Sequence, residues 1–205
     1  MLKTVSAAAF AAAFLAASAL TTAQAQAVPG VNPSAVNAGA YTVEPMHTRV
    51  LFAVSHMGFT TWYGEFTNVS GTLTLAPKAV ATSALDIKIP TDTVSTSNTK
   101  LDGELKSPVW FDAAQFPTIE FKATHIVKTG RETANITGDL KFHGVTKPVT
   151  LHAVFNGAGT NPLSKQYTVG FNATGEIKRS DFGVKTYVPL IGDEVTLTIS
   201  AAFVQ

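Results

Sequence analysis

Ala134-Asn-Ile-Thr-Gly-Asp-Leu-Lys-Phe-His-Gly-Val-Thr-Lys-Pro-Val-Thr-Leu-His-Ala-Val-Phe155 decides how the rest of the chain is read. Ile136, Gly138, Leu140 and Phe142 alternate with Asn135, Thr137, Asp139 and Lys141. Val149, Leu151, Ala153 and Phe155 alternate with Thr150, His152 and Asn156. Successive strand side chains point to opposite faces, so each arm of this β-hairpin has one dry and one wet face. Gly144-Val-Thr-Lys-Pro148 is expected to make the turn, since Gly tolerates unusual dihedrals and Pro needs a place where no donor is missed. The dry face of each arm is interrupted by a small residue, Gly138 or Ala153.

The same signature recurs outward from the hairpin. Tyr167, Val169, Phe171, Ala173, Gly175 and Ile177 alternate with polar residues, as do Val195, Leu197, Ile199, Ala201 and Phe203. Upstream, Ile119, Phe121, Ala123 and His125 alternate with Glu120, Lys122 and Thr124. Small residues inside a bulky inward row have two physical readings. They let strands coil and fit a barrel's taper, or they hollow the interior into a cavity for an apolar ligand. Periodicity alone leaves both open.

The chain begins Met1-Leu-Lys3, continues with an Ala-rich apolar run from Val5 to Leu20, and reaches small-x-small patterns at Ala23-Gln-Ala25 and Ala25-Gln-Ala27. This is expected to be a signal peptide over residues 1–25, cleaved after Ala25 or Ala27, and the mature protein is expected in the periplasm. The apolar run is too short for a membrane anchor. The chain has no Cys, which excludes lipoprotein anchoring, disulfides and thiol catalysis. Losing Lys3 with the leader balances totals of 15 basic and 14 acidic residues, so no nucleic-acid partner is expected from bulk charge. Residues 26–40, rich in Pro, Gly, Asn, Ser and Ala, read as a flexible lead-in, and 41–205 as one domain.

Within that domain, Val50, Phe52, Val54 and His56 share one strand face, while Leu51 and Ala53 make the opposite face unusually apolar. Gly58 to Gly64 reads as an aromatic-rich bend, and Glu65 to Leu75 as a strand with a bulge near Asn68 to Gly71. Leu85, Ile87 and Ile89 mark another strand. Between Thr91 and Gln115 the β pattern stops. Thr96-Ser97-Asn98 offers an N-cap, and Leu101 and Leu105 have helical spacing, predicting one or two helical turns plus a loop across one barrel mouth. Trp110 and Phe111 there read as a hydrophobic plug or as a lid over a cavity.

His47-Thr-Arg-Val-Leu-Phe-Ala-Val-Ser-His56 with Gly58-Phe59, Gly64-Glu-Phe66 and Gly71-Thr-Leu73 resembles the opening of the YceI-like family, exported bacterial proteins also called polyisoprenoid-binding. Leu105-Lys-Ser-Pro108 with Phe111-Asp112, Phe116 to Phe121, Gly138 to Val149, Arg179-Ser-Asp-Phe-Gly183 and Gly192-Asp-Glu-Val195 continue the resemblance in order, from about Tyr41 to Phe203. Thr48 stands where the family usually has Ser, and Leu101-Asp102 with Glu104 replaces its usual Arg-Asp and His. The resemblance implies an all-β, lipocalin-like antiparallel β-barrel whose apolar cavity holds an isoprenoid or fatty amphiphile.

A chain in such a cavity needs only apolar area. At about 25 cal/mol per Å², several hundred Å² gives micromolar or better affinity after association costs. The expected lining is Val50, Phe52, Val54, Leu85, Ile87, Phe121, Ile136, Leu140, Leu151, Phe155, Phe171 and Ile199. A polar head needs donors near a mouth, for which Arg179, Ser180, His47 and His143 are candidates. Structural roles compete for each of them: an ion pair of Arg179 with Asp181, or a hydrogen-bonded histidine. No cofactor beyond the lipid is expected.

Two rival functions compete with this one. An enzyme would need a nucleophile elbow, a His-Glu-x-x-His or a phosphate loop, and none is present. A metal-dependent hydrolase could assemble only in space, for instance from His47 and His56, because the five histidines are scattered. A structural or adhesion sandwich fits the alternation but not the small inward residues. The face near Leu51 and Ala53, or an exposed edge, leaves room for a homodimer.

Overall fold

A segment with one dry face must have that face covered, and here ten strands cover one another by closing into a ring. The computed structural model describes residues 32–205. Its strands are β1 (Gly39–Val43), β2 (Arg49–His56), β3 (Thr60–Phe66), β4 (Ser70–Leu75) and β5 (Ala84–Pro90), then β6 (Thr118–Lys128), β7 (Thr133–Phe142), β8 (Val145–Thr160), β9 (Tyr167–Lys178) and β10 (Ile191–Val204). All pairings are antiparallel, in the order β1-β4-β5-β6-β7-β8-β9-β10-β2-β3. Closure comes from β10, which pairs with β1 at Phe203 and Val204 and with β2 from Ser200 back to Ile191. β1 and β2 therefore form one interrupted stave. β3 and β4 form another, since they pair with β2 and β1 respectively. The result is a closed eight-staved antiparallel barrel.

Several local expectations need correction. The turn of the central hairpin is only His143-Gly144, both at positive φ (50° and 77°), the geometry a two-residue hairpin turn demands. Val145 to Pro148 already belong to β8. Pro148 is accommodated because β9 joins β8 only from His152 onward, which leaves one edge of the strand open there. The aromatic stretch after Gly58 is a strand, β3, entered through a turn at Met57-Gly58. Glu65 to Leu75 is split at Thr67–Val69, where Asn68 turns through φ 55°. A bulge between Ala123 and His125 swings His125 outward and buries Ile126 instead.

The break between β1 and β2 has a buried hydroxyl at its centre. Thr48 donates to the Glu44 carbonyl at 2.8 Å and accepts from the Ala202 amide at 3.1 Å, satisfying backbone that the interruption would leave unpaired.

Residues 1–31, which contain the expected leader and the start of the lead-in, lie outside the described residues. From Asn32 onward the described chain touches the barrel through Val36. Pro33–Ala35 makes a single 3-10 turn capped by the Asn32 side chain, Val36 is only 6% exposed, and the Tyr41 hydroxyl donates to the Asn37 carbonyl at 2.7 Å. This strap lies at the barrel end that contains the β4–β5, β6–β7 and β8–β9 connections. The other end is covered by Thr91–Pro117, including helix α1 (Thr99–Lys106), whose N-cap Asn98 accepts from the Lys100 and Leu101 amides. Outward rows such as Asp139, Lys141, Asn172, Thr174 and Glu176 are polar while inward rows are apolar, the reverse of a transmembrane barrel.

Candidate functional site

The inward rows leave a cavity of about 310 Å³ running through the barrel. Its wall is built almost entirely of Val, Leu, Ile, Phe and Ala side chains. All twelve apolar residues expected to line it do so, from Val50, Phe52 and Val54 on β2 to Phe171 on β9 and Ile199 on β10. Phe155 and Phe171 meet edge to face with centroids 5.8 Å apart, and Phe171 meets Phe203 in the same way at 6.1 Å. Further wall residues went unpredicted: Leu73 and Leu75 on β4, and Leu197 on β10, all legible from their alternation. Val36 also reaches the wall. It had no periodic neighbours to reveal it.

The small inward residues divide into two kinds. The glycines are filled by neighbouring side chains: a β-carbon at Gly138 would sit 2.5 Å from the Phe121 ring, and one at Gly175 2.7 Å from Leu151. They permit close packing and contribute no space. Ala153, Ala173 and Ala201 instead lie on the cavity wall, and Ala153 and Ala173 are directly paired across β8 and β9. The hollow belongs to the alanines.

One end of the cavity is closed by aromatics. Trp110, 7% exposed, lines the wall, donates from Nε1 to Glu104 at 3.2 Å and lies 6.2 Å from the Tyr187 ring. Phe111 lines it too, 5.4 Å from Phe142 and 6.0 Å from Phe66. These contacts make the pair the cap of this end. The opposite rim contains Lys128, Arg131 and Glu132 beside the strap.

Of the four head-group candidates, the structure brings only Arg179 to the cavity. It does not pair with Asp181. Its guanidinium donates to three backbone carbonyls, Gly192 from Nε at 2.8 Å, Val184 from Nη1 at 3.0 Å and Ile191 from Nη2 at 2.8 Å, and it stacks 5.3 Å over the Trp110 ring. Burial lowers its pKa from the usual value, and Asp193 opposes that shift. Ser180 is already committed: its amide and hydroxyl both donate to the Asp193 carboxylate, at 2.9 and 2.7 Å. Those bonds, the hydroxyl's first, hold Asp193 below the usual carboxylate range. His47 is exposed and pairs with Glu44 away from the cavity. His143 sits in the hairpin turn against Phe116, its Nδ1 3.1 Å from the Phe182 carbonyl. Its role is to brace the turn. Among the described residues, no three His, Asp or Glu side chains converge as a metal site would need.

Comparison with known proteins follows the same outline. The YceI-like domain matches residues 41–203. Protein YceI of Escherichia coli O6:H1 is 39% identical over 162 residues, 79% of this chain and 84% of its own. The Campylobacter jejuni YceI structure superposes with a TM-score of 0.66 at 27% identity, covering 74% of this chain and 89% of that one. A polyisoprenoid binding domain from Saccharophagus degradans has the same fold, with a TM-score of 0.61 at 13% identity over 82% of this chain and 99% of that one.

Proposed function

The chain belongs to the YceI-like domain family, and from that premise we propose that it is an exported, non-catalytic carrier that holds an isoprenoid or similar long-chain amphiphile inside its barrel. The observation that carries this reading is the apolar cavity of about 310 Å³. Water entering it would find few hydrogen-bond partners, whereas an apolar chain would leave its own hydration behind. The Saccharophagus degradans domain, described as polyisoprenoid binding, shares the architecture and supports the choice of ligand class. The leader-like first 25 residues support a periplasmic location. In this reading Trp110 and Phe111 form the lid, and Arg179, whose fork has two N–H groups beyond the three given to carbonyls, faces the polar head.

Trp110 on the wall supplies its own reporter. In a Trp62→Phe background it is the single remaining tryptophan, since the chain has two. Titration with a decyl-chain benzoquinone is expected to quench its fluorescence saturably with a micromolar midpoint. Ala153→Phe or Ala173→Phe should abolish that quenching while the far-UV circular dichroism of the barrel is kept. Absence of quenching, or quenching undiminished in the filled variants, would contradict the carrier reading.

A further inference from the structure

The lid end of the barrel carries an apolar surface that closing the cavity does not require. Met57 and Gly58, at φ 54° and 72°, turn the β2–β3 hairpin so that Phe59 stands 86% exposed. The Met57 amide donates to the Leu190 carbonyl at 2.7 Å, joining this tip to the loop from Val184 to Leu190, where Tyr187 and Leu190 are each 61% exposed. The Thr186 hydroxyl in that loop donates to the carbonyl of Val109, which is also exposed. Together these side chains expose on the order of several hundred Å², the size at which a patch on a monomer signals contact with something else. The opposite end differs: Lys128, Arg131 and Glu132 lie on its rim.

Two observations select the partner. The patch stands on the cap of the cavity, because Val109 adjoins Trp110 and the Tyr187 ring lies 6.2 Å from it. The hairpin tip and the loop from Val184 to Leu190 also carry no carboxylate. From His56 to Thr60 there is no Asp, Glu, Lys or Arg, and from Val184 to Leu190 the one such residue is Lys185. An aromatic and aliphatic tip with a lone lysine suits the boundary between phosphate headgroups and acyl chains.

We propose that this end of the barrel docks on a lipid bilayer, with Phe59, Met57 and Leu190 entering the headgroup–acyl boundary, and that lipid passes tail-first beneath Trp110 and Phe111 into the cavity. The docking step stands on the patch alone, and the entry route rests on the carrier reading. An apolar chain entering at the other end would have to pass the charged rim and the packed strap.

The test is flotation of the mature protein with vesicles, one set of phosphatidylcholine and one of phosphatidylethanolamine with phosphatidylglycerol. Because apolar insertion drives the contact, both sets should carry the protein upward with little dependence on salt. Phe59→Ser combined with Leu190→Ser, at exposed positions that leave the melting temperature unchanged, should lower the floated fraction at least tenfold. Wild-type protein that stays behind with both vesicle types, or a double variant that floats equally well, overturns docking. So does a wild-type dimer in sedimentation that the double variant dissociates without any flotation of either, which would assign the patch to a second copy of the chain. Transfer of pyrene-labelled hexadecanoic acid tests the route: the double variant should receive it from vesicles at least tenfold more slowly, yet take it up equally from free solution. Equal transfer from vesicles overturns the route. Failure of wild type to take up free probe overturns the carrier reading and the route with it, while the flotation result stands.

Discussion

A methyl group added at Gly138 would lie 2.5 Å from the Phe121 ring and 2.6 Å from the Lys122 carbonyl, so Phe121 would have to leave its place on the cavity wall. Gly138→Ala should therefore cost about 1–3 kcal/mol in urea denaturation, the usual penalty for overfilling a packed site. Ala173→Val adds comparable bulk toward open space and should leave stability within about 1 kcal/mol while weakening ligand uptake. Alternation marked both positions as small and inward, yet it could not separate a gap already filled by a cross-strand neighbour from a real hollow. Arg179 teaches a similar lesson. Its cation serves three carbonyls, one in the loop that follows it and two at the start of β10, and backbone acceptors leave no trace in a sequence. Arg179→Met should lower the unfolding free energy by at least about 3 kcal/mol, because each stranded carbonyl costs about 1–3 kcal/mol. Asp193 predicts an acid limb to the same clasp. Its folded pKa is depressed by the Ser180 bonds, so its contribution is complete above the unfolded value of about 3.9 and is lost as pH falls through the lower folded value. Asp193→Asn should flatten the stability profile below about pH 4, read by thermal melts across that range.

Of the strands that carry a clean alternation, β7 and β9 were legible almost to their ends, whereas β8 continues beyond the Val149–Asn156 arm on both sides and β10 begins at Ile191, before Val195. The interruptions were not legible. Glu44–Thr48 and Thr67–Val69 break two staves because β10 serves β2 and then β1, and because β5 pairs with β4 while Glu65 of β3 bridges to Ser95 beyond the end of β5, a condition set by ring closure and not by local composition. The strap's contact was not legible for a related reason: Pro, Gly and Ser describe a segment that cannot fold alone, while Val36 is buried against the barrel end it covers. Truncation to begin at Gly39 should remove the roughly 1.5–3 kcal/mol that burying a valine contributes. For a domain of this size that is a fall of about 3–12 °C in melting temperature, measured by scanning calorimetry. Vesicle flotation should be unchanged, because the strap and the apolar tip lie at opposite ends. The α1 segment was placed correctly across a mouth by its cap and leucine spacing, though Val109 falls beyond the helix and points into solvent.

At the scale of the molecule, an inward apolar row on nearly every strand called for an all-β structure, the resemblance to the YceI-like family implied a barrel, and the structure is a closed barrel. What alternation could not convey is polarity along the axis. The two ends differ: one has Lys128, Arg131 and Glu132 on its rim beside the strap, the other is capped by Trp110 and Phe111 and faced with a cluster of exposed apolar side chains. These differences arise from loops, whose contacts are non-periodic. The cavity wall offers chain length and bulk but little chemistry for discrimination, so ligand identity depends on the head. The most direct test of the account is native mass spectrometry of the protein purified from its own host, with organic extraction of whatever is bound. The account predicts a discrete added mass that extracts as an isoprenoid or acyl lipid and disappears in Ala173→Phe. Protein that carries no such mass, and also refuses an added prenyl quinone or fatty amide, would contradict it.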